Sequence, residues 1–405
     1  MLNRVLGYVV VFFFIGAFFI RYVAYFLLRP SFNRKQLNEA FTHDDLLGVA
    51  STEVDIAERQ NDTCMKTRPL SGRHNTILLW MPVSYIWSIK MSLKRCSVAG
   101  NSCRLTTDRR QLDVSDAVVF HFRNKSFDRL PTCRRSNQRY VYLNFESAIR
   151  SRSDYPWGKI PRNFFNLTAT YRLDSDLTGR TYGGYQFKPK KEFAIQHKSN
   201  DWKNYYGINI TSKTKIAAWF VSNCKTSINR EGYVRELRNY IPVDVFGKCL
   251  ENPKSCSRER HTECEAMLKR DYLFYLSFEN SFCPDYVTEK LYTAFETGTI
   301  PVVFGGANDS LFAPPHTYIN ARDFKTPKLL AEYLIHLSRN LDLYSRYFDW
   351  KGKFNLQSSS GWTCKLCQML HADLRVTAAK SYEVIEKWFF DKQKCENYQW
   401  SSVKG

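Results

Sequence analysis

The pattern of apolar and polar positions in this chain begins with a long apolar run and continues with alternating strands and helices. The run covers residues 5–28, with Arg21 as its only charged residue. It reaches roughly the 20 residues that a bilayer core requires, and Arg21 can extend its charge to an interface. A cleaved signal peptide would need a shorter apolar core and a small-x-small site, which the residues after Ile20 do not provide. We therefore expect an uncleaved signal-anchor helix at 5–28 behind a cytoplasmic tail at 1–4.

Shorter apolar runs predict a first α/β domain after a polar connection. Residues 29–65 are mixed in charge and lack a sustained period, as expected of a stem. Strands are predicted at 75–80, 116–121 and 139–145, with polar segments between them. This pattern is typical of alternating strands and helices, and we assign it to residues 66–205.

A second α/β domain is predicted over residues 206–365. Its first strands are 215–221 and 243–246, and the helix between them follows from the helical spacing of Tyr233, Leu237 and Tyr240. A single core rarely grows past roughly 250–300 residues, so two globular domains suit this length. We expect residues 366–405 to form a tail that packs back on both domains.

The clearest β-α-β unit lies between residues 272 and 306. Its apolar run at 272–278 suits a strand buried on both faces. Asp285 is a good N-cap for a helix to about Thr297, and Gly298 stands where a left-handed terminator belongs. Such a unit implies a parallel sheet with a right-handed crossover, in which ligands bind beyond the carboxyl ends of the strands.

Cysteines and glycosylation sequons place most of the chain in an oxidising, glycosylating lumen. The sequence contains 12 cysteines. It also contains five Asn-x-Ser/Thr sequons, at Asn61, Asn124, Asn166, Asn209 and Asn308. One sequon is weak evidence, but five together with the cysteines and an anchor are stronger. The positive-inside rule does not favour this orientation, because Arg29, Arg34 and Lys35 follow the anchor.

The net charge of +20 suits an anionic partner such as nucleic acid, anionic lipid or a nucleotide substrate. No compact run of Lys and Arg stands out, which argues against a nucleic-acid-binding arm. We expect most of the surplus charge to solvate the surface, and we expect no nucleic-acid partner.

Three residues near the start of the helix after Asp285 could grip a nucleotide sugar. Tyr286, Glu289 and Lys290 lie at i, i+3 and i+4, so they should share one helix face. The aromatic ring could contact the sugar or base, the carboxylate ribose hydroxyls, and the ammonium a phosphate. On helix geometry alone, a solvent-exposed helix face with an incidental Glu–Lys ion pair is commoner than a ligand-binding face.

Ordered motifs in this second half resemble those of a known enzyme family. Residues 278–281 (FENS), 285–290 (DYVTEK) and 298–303 (GTIPVV) resemble the donor-binding signature of the α1,3/4-fucosyltransferases, glycosyltransferase family 10. Further segments agree in chain order, at 103–109, 140–147, 171–176, 218–223, 314–315 and 364–367. The resemblance implies an α/β fold in which two Rossmann-like domains face each other across a cleft, the arrangement called GT-B.

The resemblance also implies roles for donor-binding residues in the second domain. It places Tyr286, Glu289 and Lys290 against GDP-fucose, and Arg230 against the diphosphate. Departure of GDP builds charge on the β-phosphate, which a fixed guanidinium can stabilise. We include Asn223 and Asn280 in the same donor-binding set.

Glu146 is the candidate catalytic base. It follows the apolar strand at 139–145, so it should project at a carboxyl end and into the cleft. Transfer in this family inverts the anomeric centre, which suits a single displacement with one carboxylate as the base. The family segment commonly reads Glu-Ser-Pro, whereas this chain has Ala148 at the third position, so we expect the following loop and the acceptor positioning to differ. The alternative is a glutamate that caps the next element.

No Asp-x-Asp segment makes a convincing metal site. Asp174 and Asp176 have that spacing, but the resemblance places them in a structural segment of the first domain. Lys290, Arg230 and a helix N-terminus offer a cationic alternative to a metal for binding phosphates. We expect no obligatory metal, with Mn²⁺ or Mg²⁺ at most stimulating activity.

The C-x-x-C at Cys364 and Cys367 would suggest redox or zinc chemistry in the cytosol, but structural disulfides in a lumen. The resemblance pairs these two cysteines with Cys96 and Cys103. Another bridge is expected within the group of Cys249, Cys256 and Cys264. Cys224 and Cys283 are the candidates to remain unpaired.

The leading hypothesis is therefore a Golgi enzyme, single-pass and type II, with a lumenal catalytic domain that fucosylates GlcNAc in a glycan or glycoprotein. A lumenal transferase using another nucleotide sugar is the alternative enzyme. A catalytically silent glycan-binding relative is the alternative from another class. The sequence does not distinguish an N-glycan core acceptor from terminal LacNAc or LacdiNAc, and it does not indicate an oligomeric state.

Overall fold

The computed structural model describes most of the chain beyond the predicted stem. The described residues are 74–81, 89–90, 93–94, 96, 102–121, 130–152, 157–177, 184–192, 201–251, 253–256, 261–358, 361–372, 380–391, 394–396, 398 and 400. The predicted tail at 1–4, anchor at 5–28 and stem at 29–65 lie outside them, as do Asn61 and Asn124. Within the described segments, no helix is long and apolar enough to cross a bilayer.

The first sheet has five parallel strands in the order β2-β1-β3-β4-β5. These strands are β1 (His74–Leu79), β2 (Ser102–Thr106), β3 (Ala117–His121), β4 (Arg139–Asn144) and β5 (Leu167–Thr170). Every residue of β4 is buried, as expected of a parallel strand that is covered on both faces.

Alternate residues of these strands build two separate cores. Val119 and Val141 lie opposite each other and face a core that includes Trp362 and Leu366. Phe120 and Tyr142 point the other way, into an aromatic core that includes Trp157, Phe165 and Phe389. The first sheet is therefore packed on both sides.

The second sheet also has five parallel strands, in the order β11-β10-β9-β7-β8. These strands are β7 (Lys215–Val221), β8 (Val243–Gly247), β9 (Tyr272–Phe278), β10 (Ile300–Phe304) and β11 (Ile319–Asn320). Strands β9 and β10 are buried throughout, as their unbroken apolar runs predict. A two-stranded antiparallel ribbon stands apart, formed by β6 (Tyr185–Pro189) and β12 (Phe354–Ser358).

Helices cover the sheets and connect their strands. The α-helices with described bounds are Ala148–Arg152, Arg230–Leu237, His261–Asp271, Glu289–Thr297, Pro327–Arg339, Leu341–Arg346, Trp350–Lys353, Gly361–His371 and Ile385–Phe390. The short 3-10 helices are Arg109–Val114, Trp157–Lys159, Asp309–Leu311 and Ala321–Asp323. The helices Gly361–His371 and Ile385–Phe390 follow the second sheet in the chain but pack on the first.

Disulfides join segments that are distant in the chain. Cys364 is bonded to Cys96 and Cys367 to Cys103, so both pairings implied by the resemblance are confirmed. Cys256 is bonded to Cys264.

The expectation that Cys224 or Cys283 stays unpaired was wrong. Cys224 is bonded to Cys249, and Cys283 to Cys395 near the end of the chain. These partners lie close only after folding, because the first pair joins the ends of two neighbouring strands and the second draws the C-terminal segment onto the second sheet.

The predicted helix start at Asp285 was also wrong. The helix begins at Glu289 with Thr288 in the N-cap position, and Asp285 has a left-handed backbone with φ of 60°. Asp285 accepts a hydrogen bond from the Leu173 N–H in the first half of the chain, so its side chain is used elsewhere. The helix end was predicted correctly. Gly298 is the C-cap residue, and its φ of 61° lies in the left-handed region.

Candidate active site

One cleft collects the candidate residues from both halves of the chain. Its volume is about 940 Å³, and it is lined by the segments that follow β4, β7, β8 and β9 together with the start of the Glu289–Thr297 helix. All seven predicted catalytic and donor-binding residues line it: Glu146, Asn223, Arg230, Asn280, Tyr286, Glu289 and Lys290. The carboxyl ends of parallel strands therefore form the site, as expected for such sheets.

Glu146 stands two residues beyond β4 and is half-buried. Its backbone N–H donates to the side-chain oxygen of Asn144 at 2.9 Å, which turns the chain as the strand ends. Its Oε1 accepts a hydrogen bond from the Tyr286 hydroxyl at 3.0 Å. Beside it, the hydroxyls of Ser147 and Ser281 are 2.7 Å apart and buried. Two polar contacts thus join the first half to the second at the candidate base.

A purely capping role for Glu146 is not what the local contacts favour. The next element is the Ala148–Arg152 helix, and the Ser147 hydroxyl accepts the N–H of Arg150 at 3.4 Å. The N–H of Ala148 donates to the Tyr171 hydroxyl at 3.2 Å. Tyr171 and Ser147 therefore receive two of the first N–H groups of this helix, and Glu146 itself lines the cleft.

Tyr286 reaches the site from a loop and not from a helix face. It precedes the Glu289–Thr297 helix by three residues and is only 1% exposed. The predicted i, i+3, i+4 face is therefore wrong for Tyr286, although the three residues do line one cleft. Its hydroxyl is directed toward Glu146, and its ring packs edge-on against Tyr171 at 4.9 Å.

Arg230 is a buried cation at the first position of its helix. Its Nη atoms donate to the backbone oxygens of Phe278 and Asn223. Its Nε is buried without a hydrogen-bond partner among the described residues. Burial lowers the pKa of Arg230, but a guanidinium remains protonated in proteins. The arrangement therefore presents a fixed positive charge with a remaining donor beside the cleft.

Lys290 lies between two carboxylates. Its Nζ is 3.2 Å from Glu279 and 3.4 Å from Glu289, and it donates to the Thr288 hydroxyl at 2.8 Å. Burial by itself lowers the pKa of Lys290, but the two carboxylates outweigh it, so this pKa lies above its usual value. Glu289 is 61% exposed at the side chain and faces the cleft, where it can accept hydrogen bonds from ribose hydroxyls.

The ends of β7 and β8 are held together beside Asn223. The Cys224–Cys249 disulfide joins the segments that follow these strands. Gly247 ends β8 with φ of 126°, and a Cβ there would lie 1.9 Å from the Val221 carbonyl oxygen. Only glycine fits this close approach, which lets the ends of β7 and β8 lie close together at the wall of the cleft.

Sequence reasoning missed Glu279, which organises the donor side of the site. It is 5% exposed, and its carboxylate accepts from the backbone and hydroxyl of Thr288 as well as from Lys290. The sequence did contain a signal for Glu279: this residue directly follows the buried strand β9 and lies within the family-like FENS segment. Three cleft-lining cations were missed as well: Arg150, Lys248 and Lys254.

The cleft is positively charged. Its lining includes five basic residues, Arg150, Arg230, Lys248, Lys254 and Lys290, against two carboxylates, Glu146 and Glu289. A concave site with one dominant sign of charge concentrates a ligand of the opposite sign. This balance suits an anionic ligand such as a nucleoside diphosphate.

The Asp174–Asp176 spacing does not make a metal site in the fold. Asp174 forms an ion pair with Arg172, and Asp176 binds Thr168, Lys380 and Tyr382. Neither lines the cleft. These contacts hold the end of β5 and agree with the structural role that was predicted.

One predicted glycosylation site is inaccessible in the fold. Asn166 is 5% exposed, its Nδ2 donates to the Lys380 carbonyl at 3.0 Å, and its Oδ1 accepts from the Tyr140 N–H. A glycan needs that amide nitrogen and a route to solvent, so the folded environment does not favour Asn166 as a glycosylation site. Asn209 and Asn308 are exposed.

Comparison with known proteins places the chain in a family. Residues 210–388 match the model of the glycosyltransferase family 10 (fucosyltransferase) C-terminal domain, and residues 72–183 match the fucosyltransferase N-terminal model. A crystal structure of an α1,3-fucosyltransferase with GDP-fucose is similar at 16% identity and a TM-score of 0.48, covering 78% of this chain and 96% of that chain.

Curated relatives are closer in sequence. Alpha-(1,3)-fucosyltransferase C of Drosophila melanogaster is 38% identical over 69% of this chain and 66% of its own length. Glycoprotein 3-alpha-L-fucosyltransferase A of the same organism is 33% identical over 82% and 64%, respectively. This chain thus matches just under two thirds of the length of these two relatives. 4-galactosyl-N-acetylglucosaminide 3-alpha-L-fucosyltransferase 9 of Mus musculus is 32% identical over 78% of this chain and 82% of its own length. The chain belongs to glycosyltransferase family 10, the fucosyltransferases.

Proposed function

We propose that the chain is an inverting α1,3-fucosyltransferase that moves L-fucose from GDP-fucose to a GlcNAc residue of a glycan. The observation that carries the proposal is the shared cleft, in which Glu146 from the first half faces Arg230 and Lys290 from the second. Family membership supports the donor and the reaction type.

The reaction is a single displacement at the anomeric carbon of fucose. The acceptor hydroxyl oxygen forms a bond to that carbon while the bond to the β-phosphate oxygen breaks, and the hydroxyl proton passes to Glu146. Negative charge develops on the departing GDP, and Arg230 is fixed where it can stabilise this charge. Attack from the face opposite the leaving group inverts the configuration.

Donor binding divides between the two helix starts that line the cleft. Arg230 opens one helix and Glu289 with Lys290 opens the other, so backbone N–H groups of both helix N-termini can favour the diphosphate. Asn223 and Asn280 line the space between them. This cationic route supports a reaction without an obligatory metal, and Mn²⁺ or Mg²⁺ would at most stimulate it.

The proposal extends to architecture and location. The two five-stranded parallel sheets support a GT-B arrangement with facing Rossmann-like domains. The disulfides support an oxidising compartment. We propose a Golgi membrane enzyme whose catalytic domain is lumenal and whose anchor is residues 5–28.

An assay of the purified protein with GDP-fucose and an acceptor panel tests the function. The panel includes an N-glycan core and terminal LacNAc and LacdiNAc, because relatives named for glycoprotein and for 4-galactosyl-N-acetylglucosaminide acceptors both match. We expect α1,3-linked fucose in the product, established by linkage analysis. Transfer from a different nucleotide sugar alone would support the alternative enzyme, and glycan binding without any transfer would support the silent relative.

A further inference from the structure

We propose that Tyr286 is a positioning residue for Glu146, holding the candidate base from the donor-binding half of the molecule. The inference rests on the proposed function, in which Glu146 accepts the proton of the acceptor hydroxyl. It assigns to Tyr286 a role in the orientation of the base, beyond the contact with the nucleotide sugar that the sequence suggested.

The Tyr286 hydroxyl points at the Glu146 carboxylate from a buried position. Its oxygen is 3.0 Å from Oε1 of Glu146, and the residue is 1% exposed, so the ring cannot swing into solvent. The loop that carries it is fixed by two contacts just before Tyr286. Cys283 is bonded to Cys395, and Asp285 accepts the N–H of Leu173.

A second tyrosine completes the support from the first half. The ring of Tyr171 packs edge-on against Tyr286 with ring centroids 4.9 Å apart. The hydroxyl of Tyr171 accepts the N–H of Ala148 at 3.2 Å, and Ala148 is two residues after Glu146. The backbone of the Glu146 segment is thus tied to Tyr171, and its carboxylate to Tyr286. A proline at 148 would have no N–H to donate, so this chain has a contact that a Glu-Ser-Pro segment lacks.

These contacts have a chemical consequence. The hydrogen bond from Tyr286 restricts rotation of the Glu146 carboxylate, and small errors in placing a reacting group cost much of the rate. Tyr286 lies three residues before the helix that begins with Glu289 and Lys290, so the residue that contacts the base and the donor-binding residues belong to one continuous segment.

Tyr286→Phe tests the inference, since it keeps the buried ring and removes only the hydroxyl. We expect kcat to fall by roughly tenfold to a hundredfold, with KM for GDP-fucose nearly unchanged. A residue with a merely structural role would not lower kcat selectively while KM for GDP-fucose stays unchanged.

Tyr292→Phe is the matched control. Tyr292 is also 1% exposed and lies on the adjoining helix, but it does not line the cleft. We expect its kcat and its KM for GDP-fucose to match the wild type. Thermal unfolding of both variants shows whether either change disturbs the fold.

The outcomes separate this inference from the proposed function. If the wild type transfers fucose and Tyr286→Phe keeps the wild-type kcat, the positioning role is refuted and the enzyme assignment stands. A higher KM for GDP-fucose as the sole change would likewise refute it and make Tyr286 a donor contact. If the wild type transfers nothing to any acceptor, the proposed function itself fails.

Discussion

The ammonium nitrogen of Lys290 lies 3.2 Å from a carboxylate oxygen of Glu279, and both side chains are largely withdrawn from solvent, at 18% and 6% exposure. Lys290 therefore has two tasks. It neutralises a buried carboxylate that sequence reasoning did not single out, and it lines the proposed phosphate-binding side of the cleft.

Lys290→Met separates these tasks when it is combined with a change at Glu279. The single variant leaves Glu279 buried without its cation, which typically costs about 3–5 kcal/mol of unfolding free energy, and it should also weaken use of GDP-fucose. The double variant with Glu279→Gln should recover much of the thermal stability, because no charge is left unpaired. It should not recover donor use. Wild-type kcat and donor KM in the single variant would contradict the phosphate role.

Glu146→Gln should remove transfer while leaving GDP binding nearly intact. Glutamine keeps an oxygen that can accept from the Tyr286 hydroxyl but cannot take the acceptor proton. General-base catalysis is typically worth about 10²–10⁴ in rate, so we expect kcat to fall by that factor. Calorimetry with GDP gives the binding measurement, and Glu146→Ala provides a second variant. Normal turnover by either variant would refute Glu146 as the base.

Arg230→Lys should lower kcat by about 10²–10³, although the positive charge is retained. A lysine has a single ammonium nitrogen, so it cannot reproduce the forked contacts of the two Nη atoms with the Phe278 and Asn223 carbonyl oxygens while a separate nitrogen faces the leaving phosphate. Arg235→Lys is the matched control, because Arg235 lies on the same helix with its side chain 58% exposed. Steady-state kinetics with GDP-fucose measures both variants. Equal effects in the two would argue against a specific role for Arg230.

Much of the fold was readable from the sequence because the central strands are buried on both faces. The apolar runs of β4, β9 and β10 leave no other environment for them, and polar residues after β4 and β9, Glu146 and Asn280, line one cleft. Strand β2 was missed because it pairs only with β1 and contains Arg104, which stays exposed, so its pattern is weak.

The site details that were missed depend on contacts between distant segments. Asp285 has a favourable residue type for a helix cap, but Leu173 from the other half recruits its carboxylate. Glu279 is buried only because Thr288 and Lys290 fold over it. The Cys283–Cys395 bond spans 112 residues. Local propensity contains no information about any of these partners.

Asn166 should remain unmodified when the protein is made in cells that glycosylate. Its amide is committed to the Lys380 carbonyl and the Tyr140 N–H, so glycopeptide mapping should find glycans only at other sequons. Asn166→Gln should leave the glycan mass unchanged but lower the melting temperature, since unsatisfied buried groups cost about 1–3 kcal/mol each. Exposed Asn209 provides the control, where Asn209→Gln should have little effect on stability. A glycan on Asn166 in the folded protein would contradict the described environment.

Asp309 should make stability fall as the pH rises toward neutrality. Burial is the main cause that raises the pKa of Asp309 to about 7, with Glu279 adding to it and Arg322 opposing it. The unfolded chain has an ordinary aspartate pKa of about 3.9, so between about pH 4 and pH 7 the folded state binds the proton more tightly. Its contribution to stability is therefore complete below about pH 4 and is lost as the pH rises through about 7.

Asp309→Asn should remove this dependence, because the amide mimics the neutral acid at every pH. A shift of about three units corresponds to at most about 4 kcal/mol, so the variant should melt well above the wild type at pH 8 and close to it at pH 5. Asp391→Asn is the control, since Asp391 is exposed. Melting temperatures measured at both pH values decide the matter. If Asp309→Asn shows the same difference from the wild type at both, the Asp309 carboxyl does not change its protonation in this range.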